Sequence, residues 1–146
     1  MFKDILVAID DTDQANAALD LAIELARALG SELTLVHALD PGRIAASAGD
    51  VGAGAALEIE LDELEAAGKE LMASAVERVK AAGLGVTPIV RDGVPAATIV
   101  DTARRSGCDL IVIGTHGRGG VARLFLGSTA EAVLRESPIP VVVKRS

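Results

Sequence analysis

Five short apolar runs rich in Val, Ile and Leu punctuate the chain: Ile5 to Ile9, Leu33 to Leu39, Val86 to Val90, Leu110 to Gly114 and Val141 to Lys144. Runs of this length with little polar alternation suit strands covered on both faces. Between them the period lengthens. Ala18, Leu21, Ala22, Leu25, Ala26 and Leu29 recur at helical spacing, and Gly30 stands where a C-cap belongs. Leu57, Leu61, Leu64, Leu71, Ala75, Val79 and Ala82 share a second helical face. Pro95 suits the first turn of a third helix carrying Ala96, Ile99, Val100 and Ala103, which Gly107 closes. A fourth helix is predicted from about Ser128 to Arg135, ended by "SPIP".

Strands that alternate with helices predict an α/β fold, a doubly wound, mainly parallel five-stranded sheet with helices on both faces and right-handed crossovers. Neither internal repeats nor a composition shift divides the chain, so one domain over 1–146 is expected. The Gly-, Ala- and Ser-rich stretch from Pro41 to Ala56 has no clear period and reads as a mobile loop. Pro140 opens the last strand, which favours an edge, and an edge rich in Val invites pairing with a second subunit.

Composition narrows the partners. Half the residues are apolar, yet there are only two Phe and no Trp or Tyr, and the formal net charge is −7. Nucleic acid wants a basic footprint and stacking platforms, so it is excluded. A nest of backbone N–H groups can still hold a phosphate on an acidic protein. The apolar run at the start is too short for a signal peptide, and nothing reaches the length needed to span a bilayer, so a cytoplasmic location without membrane attachment is expected. The single cysteine, Cys108, reads as a small buried hydrophobe.

Ligands of open α/β sheets sit beyond the carboxyl ends of the strands. Asp10 follows the first run, His37 to Asp40 the end of the second, and Arg91 and Asp92 the third. The fourth is followed by "GTHGRGGVARLFLGST", with glycines at 114, 117, 119, 120 and 127. Gly114 and Gly117 permit a sharp turn and close approach of a ligand, while Gly119 and Gly120 extend a backbone whose N–H groups can converge on an anion. Arg118 adds a charged donor, and Ser128 and Thr129 stand at a helix start, where free N–H groups and the dipole favour phosphate. Ser128 to Glu131 also fits a capping box, which would give Ser128 a purely local task. The stretch is no Walker loop, because no lysine lies near; its match to G-x-G-x-x-A follows the wrong strand for a dinucleotide fingerprint. His116 has no carboxylate or nucleophile beside it in sequence to orient it, and His37 lies in an apolar run as a satisfied core-edge histidine. No catalytic residue and no metal-ligand spacing is identified.

Taken together, "ILVAIDDTDQANAALDLAIELA", "LTLVHA", Gly114 and Gly117 followed after nine residues by Gly127 and Ser128, and "PVVVKR" resemble the universal stress protein family over nearly the whole chain. That resemblance implies strand order 3-2-1-4-5, an ATP-binding stress or signalling module with slow or no hydrolysis, Mg²⁺ with the nucleotide, and a homodimer through the last strand. It implies that Ala8 and Asp10 line the adenosine end, that Ala38 packs on adenine, and that Ile113 and Gly114 close the other side. Gly117 would admit the phosphates, with Arg118, Gly119 and Gly127 in the same motif and Ser128 and Thr129 as the phosphate-binding residues. The chain departs from the family in Asp11 and Thr12, where Gly-Ser is common, in the small Ala38, and in Thr129 in place of Val. Two other readings remain: a dimeric partner protein of the same fold that binds no nucleotide, and a phosphoacceptor receiver built on Asp10, Asp11, Asp92, Thr115 and Lys144.

Overall fold

The computed structural model describes residues 1–40, 54–115 and 126–145, with side chains between 54 and 59 left out of the description. The element order is β1 (Asp4–Ala8), α1 (Asp13–Leu29), β2 (Glu32–Leu39), α2 (Gly54–Ala81), β3 (Val86–Asp92), α3 (Pro95–Arg105), β4 (Leu110–Gly114), α4 (Ser128–Glu136) and β5 (Val141–Lys144). Thr12 caps α1 by accepting the N–H of Ala15 at 3.1 Å, and Gly30 ends the helix at φ 70°, a left-handed turn that costs a residue without Cβ little. Pro95 opens α3 as expected; beyond its end, Cys108 N–H donates to Ala103 and Gly107 N–H to Arg104.

Two boundaries differ from the sequence reading by more than one residue. Helix α2 starts at Gly54, inside the stretch read as loop, because Ala55 and Ala56 are strong helix formers. The preceding residues, 41–53, lie outside the described ones. Strand β3 continues past Val90, since Ala38 and Leu39 of the longer β2 supply pairing partners for Arg91 and Asp92.

All neighbouring strands are parallel, in the order β3-β2-β1-β4-β5. Side chains alternate across the sheet and build two cores. Ile5, Val7, Leu33, Leu35, Leu110 and Val112 pack with Ala18, Leu19, Ala22 and Ala26 of α1 and Met72, Ala75 and Val79 of α2. Leu6, Val36, Ile111 and Ile113 pack with Ala96, Ile99 and Ala103 of α3 and Ala130 and Val133 of α4. Each fully buried Leu or Ile contributes about 1.5–3 kcal/mol, so the pattern that sorts residues between the faces also fixes strand register. Among the described residues no helix is long and apolar enough to cross a membrane.

Candidate functional site

The chain leaves β1 for α1 on one face and leaves β4 for the other, while β1 and β4 lie side by side. This divergence marks the topological switch point at their carboxyl ends, where α/β sheets form the crevice that receives ligands. Ala8 closes β1 half-buried and packs against the α3/α4 core, which includes the buried Ile113. Ala38 stands on the same face as Val36, two residues before it in β2. Three of the residues assigned to adenosine therefore share one face at one end of the sheet.

Asp10, just beyond β1, is partly buried, and its Oδ1 accepts the backbone N–H of Thr12 at 2.8 Å and the Thr12 hydroxyl. The same hydroxyl caps α1, so the carboxylate and the helix start are held as one unit. Thr12, a departure from the family pattern, thus has a defined structural task. Its signal was present in sequence as a hydroxyl residue just ahead of a helical period. Asp11 beside it is exposed.

Gly114 is needed for a reason different from the one its sequence position suggests. A Cβ there would lie 2.3 Å from the carbonyl oxygen and 2.6 Å from the carbonyl carbon of Gln14. Its bareness admits the first turn of α1, a tertiary contact that no local pattern reveals. The start of α4 also differs from the capping-box reading. Gly127, buried and at φ 89°, is the N-cap; Ser128 already belongs to the helix, and among the described residues no side chain caps it. Glu131 N–H returns to the Gly127 carbonyl at 3.0 Å. Ser128 is exposed and Thr129 half-buried, so two hydroxyls accompany the first N–H groups of α4 without serving as its cap. Residues His116, Gly117, Arg118, Gly119 and Gly120 lie outside the described residues.

His37 is 8% exposed and its Nδ1 meets the carbonyl oxygen of Ile9 at 2.6 Å, which agrees with a satisfied histidine. Cys108 is buried at the opposite end of the sheet, with Sγ 3.6 Å from Asp4 Oδ1; burial, reinforced by the Asp4 carboxylate, pushes its thiol up to about 11. Asp92 ends the outer strand β3, separated from β1 by β2, so the acids of the receiver reading do not gather. Among the described residues no three His, Cys, Asp or Glu side chains converge as a metal site.

The chain matches the family model described as "Universal stress protein family" over residues 1–145. The "Universal stress protein in QAH/OAS sulfhydrylase 3'region" of Thermus aquaticus is 38% identical over 151 residues, covering 99% of this chain and all of its own length (100%). The solved structure of the hypothetical protein MJ0577 superposes with a TM-score of 0.85 at 27% identity, over 100% of this chain and 97% of that one. A universal stress protein from Archaeoglobus fulgidus, described in complex with dAMP, has a TM-score of 0.70 at 27% identity over 97% of each chain. A further universal stress protein, described in complex with cAMP, has a TM-score of 0.69 at 25% identity over 99% of this chain and 97% of its own.

Proposed function

Because the chain belongs to the universal stress protein family, we propose that it is an adenine-nucleotide-binding module, with ATP and its Mg²⁺ as the ligand, that acts non-catalytically as a homodimer in stress response or signalling. The observation that carries this reading is the start of α4. A helix of nine residues opens on a buried, positive-φ glycine with no side-chain cap, next to the hydroxyls of Ser128 and Thr129. Its N–H groups and dipole suit phosphate oxygens, which would accept from donors that no side chain among the described residues caps. The fit of the base is supported by Ala8, Ala38 and Ile113 on one face of the crevice, small or apolar side chains that leave room for a flat ring. Asp10, held by Thr12, offers a carboxylate for the hydroxyls of a ribose or the exocyclic amine of adenine. In this reading Mg²⁺ arrives bound to the phosphates, and Asp11 is an exposed acid just ahead of α1.

That two relatives are described as complexes with dAMP and cAMP supports the adenylate class. Phosphate number is then decided by α4 and the glycine stretch. Heat-denaturing the purified protein and identifying the released small molecules by mass spectrometry tests occupancy directly. Isothermal titration with ATP, dAMP and adenosine tests affinity. Bound ATP should raise stability by about 2.7 kcal/mol at a hundredfold excess over Kd. Absence of both binding heat and thermal shift with every adenylate would leave the non-binding partner protein as the reading.

A further inference from the structure

The residue that joins β1 to Asp10 is held from an unexpected side. Ile9 N–H donates to the Val36 carbonyl at 2.8 Å, and the Ile9 carbonyl accepts from the ring of His37, Nδ1 to O at 2.6 Å. A carbonyl only accepts, so Nδ1 carries the proton. The Ile9 oxygen lies in the same rigid plane as the Asp10 nitrogen, because the peptide bond is planar. Fixing that oxygen fixes the direction in which the Asp10 chain departs. The far end of Asp10 is fixed as well, through Thr12.

The ring itself is boxed in. Gly68 of α2 faces it so closely that a Cβ there would lie 2.9 Å from His37 Cδ2 and 3.0 Å from Nε2. Only a bare residue lets α2 back the imidazole, and a backed, buried imidazole has few rotamers in which to lose the Ile9 contact. His37 alternates with Ala38 and so faces α2, away from the face on which Ala38 stands. It cannot be a ligand contact.

We infer that His37, backed by Gly68, is a positioning residue of the nucleotide site: its Nδ1 holds the Ile9–Asp10 peptide and thereby sets the Asp10 carboxylate for the ligand. The inference rests on the proposed nucleotide function for what Asp10 binds, but not for how Asp10 is held. It couples helix α2, which makes no part of the crevice described above, to the site.

The test uses the full chain and three variants. His37→Leu removes the donor, Gly68→Ala drives a methyl group into the ring, and His37→Asn keeps an N–H donor near the Nδ1 position. Hydrogen exchange reads the Thr12 amide, which donates to Asp10, against the Val112 amide in the sheet as a control. Thr12 protection is expected to fall about tenfold in His37→Leu and Gly68→Ala, with Val112 unchanged and with His37→Asn restoring it, the effect of one lost hydrogen bond. ATP affinity should follow the same order, down about tenfold in the first two and within about threefold of wild type in the third. Unchanged Thr12 protection in His37→Leu, or wild-type ATP affinity in that variant, overturns the inference. Should His37→Leu fail to fold, Gly68→Ala supplies both readouts. If the wild-type chain itself binds no adenylate, the proposed function falls, and Thr12 protection alone then decides the positioning role: lost, it stands; retained, it is refuted.

Discussion

Gly114 ends β4 directly against the first turn of α1, where a Cβ would stand 2.3 Å from the carbonyl oxygen of Gln14. The obstacle is backbone in a capped helix, which cannot swing aside as a side chain can. Gly114→Ala should therefore lower stability by about 1–3 kcal/mol through overpacking, read as a fall in the urea midpoint. Any loss of nucleotide binding in that variant would reflect displaced α1 and not a missing phosphate contact. Wild-type stability in Gly114→Ala would show that α1 and β4 separate more easily than their packing implies.

Ser128 gives the cleaner probe of phosphate binding. It is exposed, lies inside α4, and is not the cap. Ser128→Ala should leave stability within about 0.5 kcal/mol of wild type. ATP affinity should fall about tenfold, since a hydrogen bond to a charged oxygen contributes about 1.5 kcal/mol or more. Adenosine, lacking phosphates, should bind both proteins alike. If Ser128 were the cap, the variant would instead lose about 1 kcal/mol of stability. Calorimetric titration beside chemical denaturation separates the two outcomes.

How far the sequence reached depends on the range of the interaction. Apolar runs and helical periods are local, and they located all five strands and four helices among the described residues to within a few positions. Strand order came from the family resemblance, because nothing in the runs themselves says which neighbours which. The pattern S-x-x-E at Ser128 to Glu131 is present, yet the chain enters α4 one residue earlier, through the glycine that can hold φ 89°. Gly114 and Gly68 were out of reach for a different reason: each makes room for a residue far away in sequence, Gln14 and His37.

Cys108 should be inert in the native protein. Burial foremost, with Asp4 beside it, raises its thiol to about 11. Only about one thiol in a thousand is then ionised near pH 8, and the thiolate is the reactive form. An aromatic disulfide reagent should react slowly with folded protein and promptly in guanidinium. Fast native reaction would mean that the starts of β1 and β4 open readily.

Asp101 carries three arginines: Arg91 at 2.9 Å, Arg105 at 3.0 Å and Arg104 at 3.1 Å. Hydrogen bonds from Arg91 first, and then Arg104, hold its carboxyl below the usual carboxylate value. A depressed folded pKa contributes stability above the unfolded value, near 3.9, and that contribution is lost as pH falls through the folded pKa. Asp101→Asn should therefore be less stable than wild type at neutral pH, with the gap closing as acid takes the pH below the unfolded value of about 3.9. Because Arg104 and Arg105 are largely exposed, added salt should narrow the same gap. Parallel urea curves for the two proteins across this range make the measurement.

The two edges of the sheet are not equivalent, and this bears on the proposed dimer. Leu33 N–H donates to the Gly85 carbonyl, so in a parallel ladder Thr87 and Ile89 face β2, and Pro88 between them faces outward with no N–H to offer. On the other edge, Ile111 N–H donates to Pro140 and Thr115 N–H to Lys144, which turns the backbone of Val141 and Val143 outward with donors intact. β3 is thus blunted against strand addition, whereas β5 is open to it. Val143→Pro removes an outward N–H while sparing the ladder to β4. Light scattering should show wild type at twice the chain mass and Val143→Pro at the chain mass, with the far-ultraviolet dichroism of a folded α/β protein. A variant that still dimerises would move the interface away from β5.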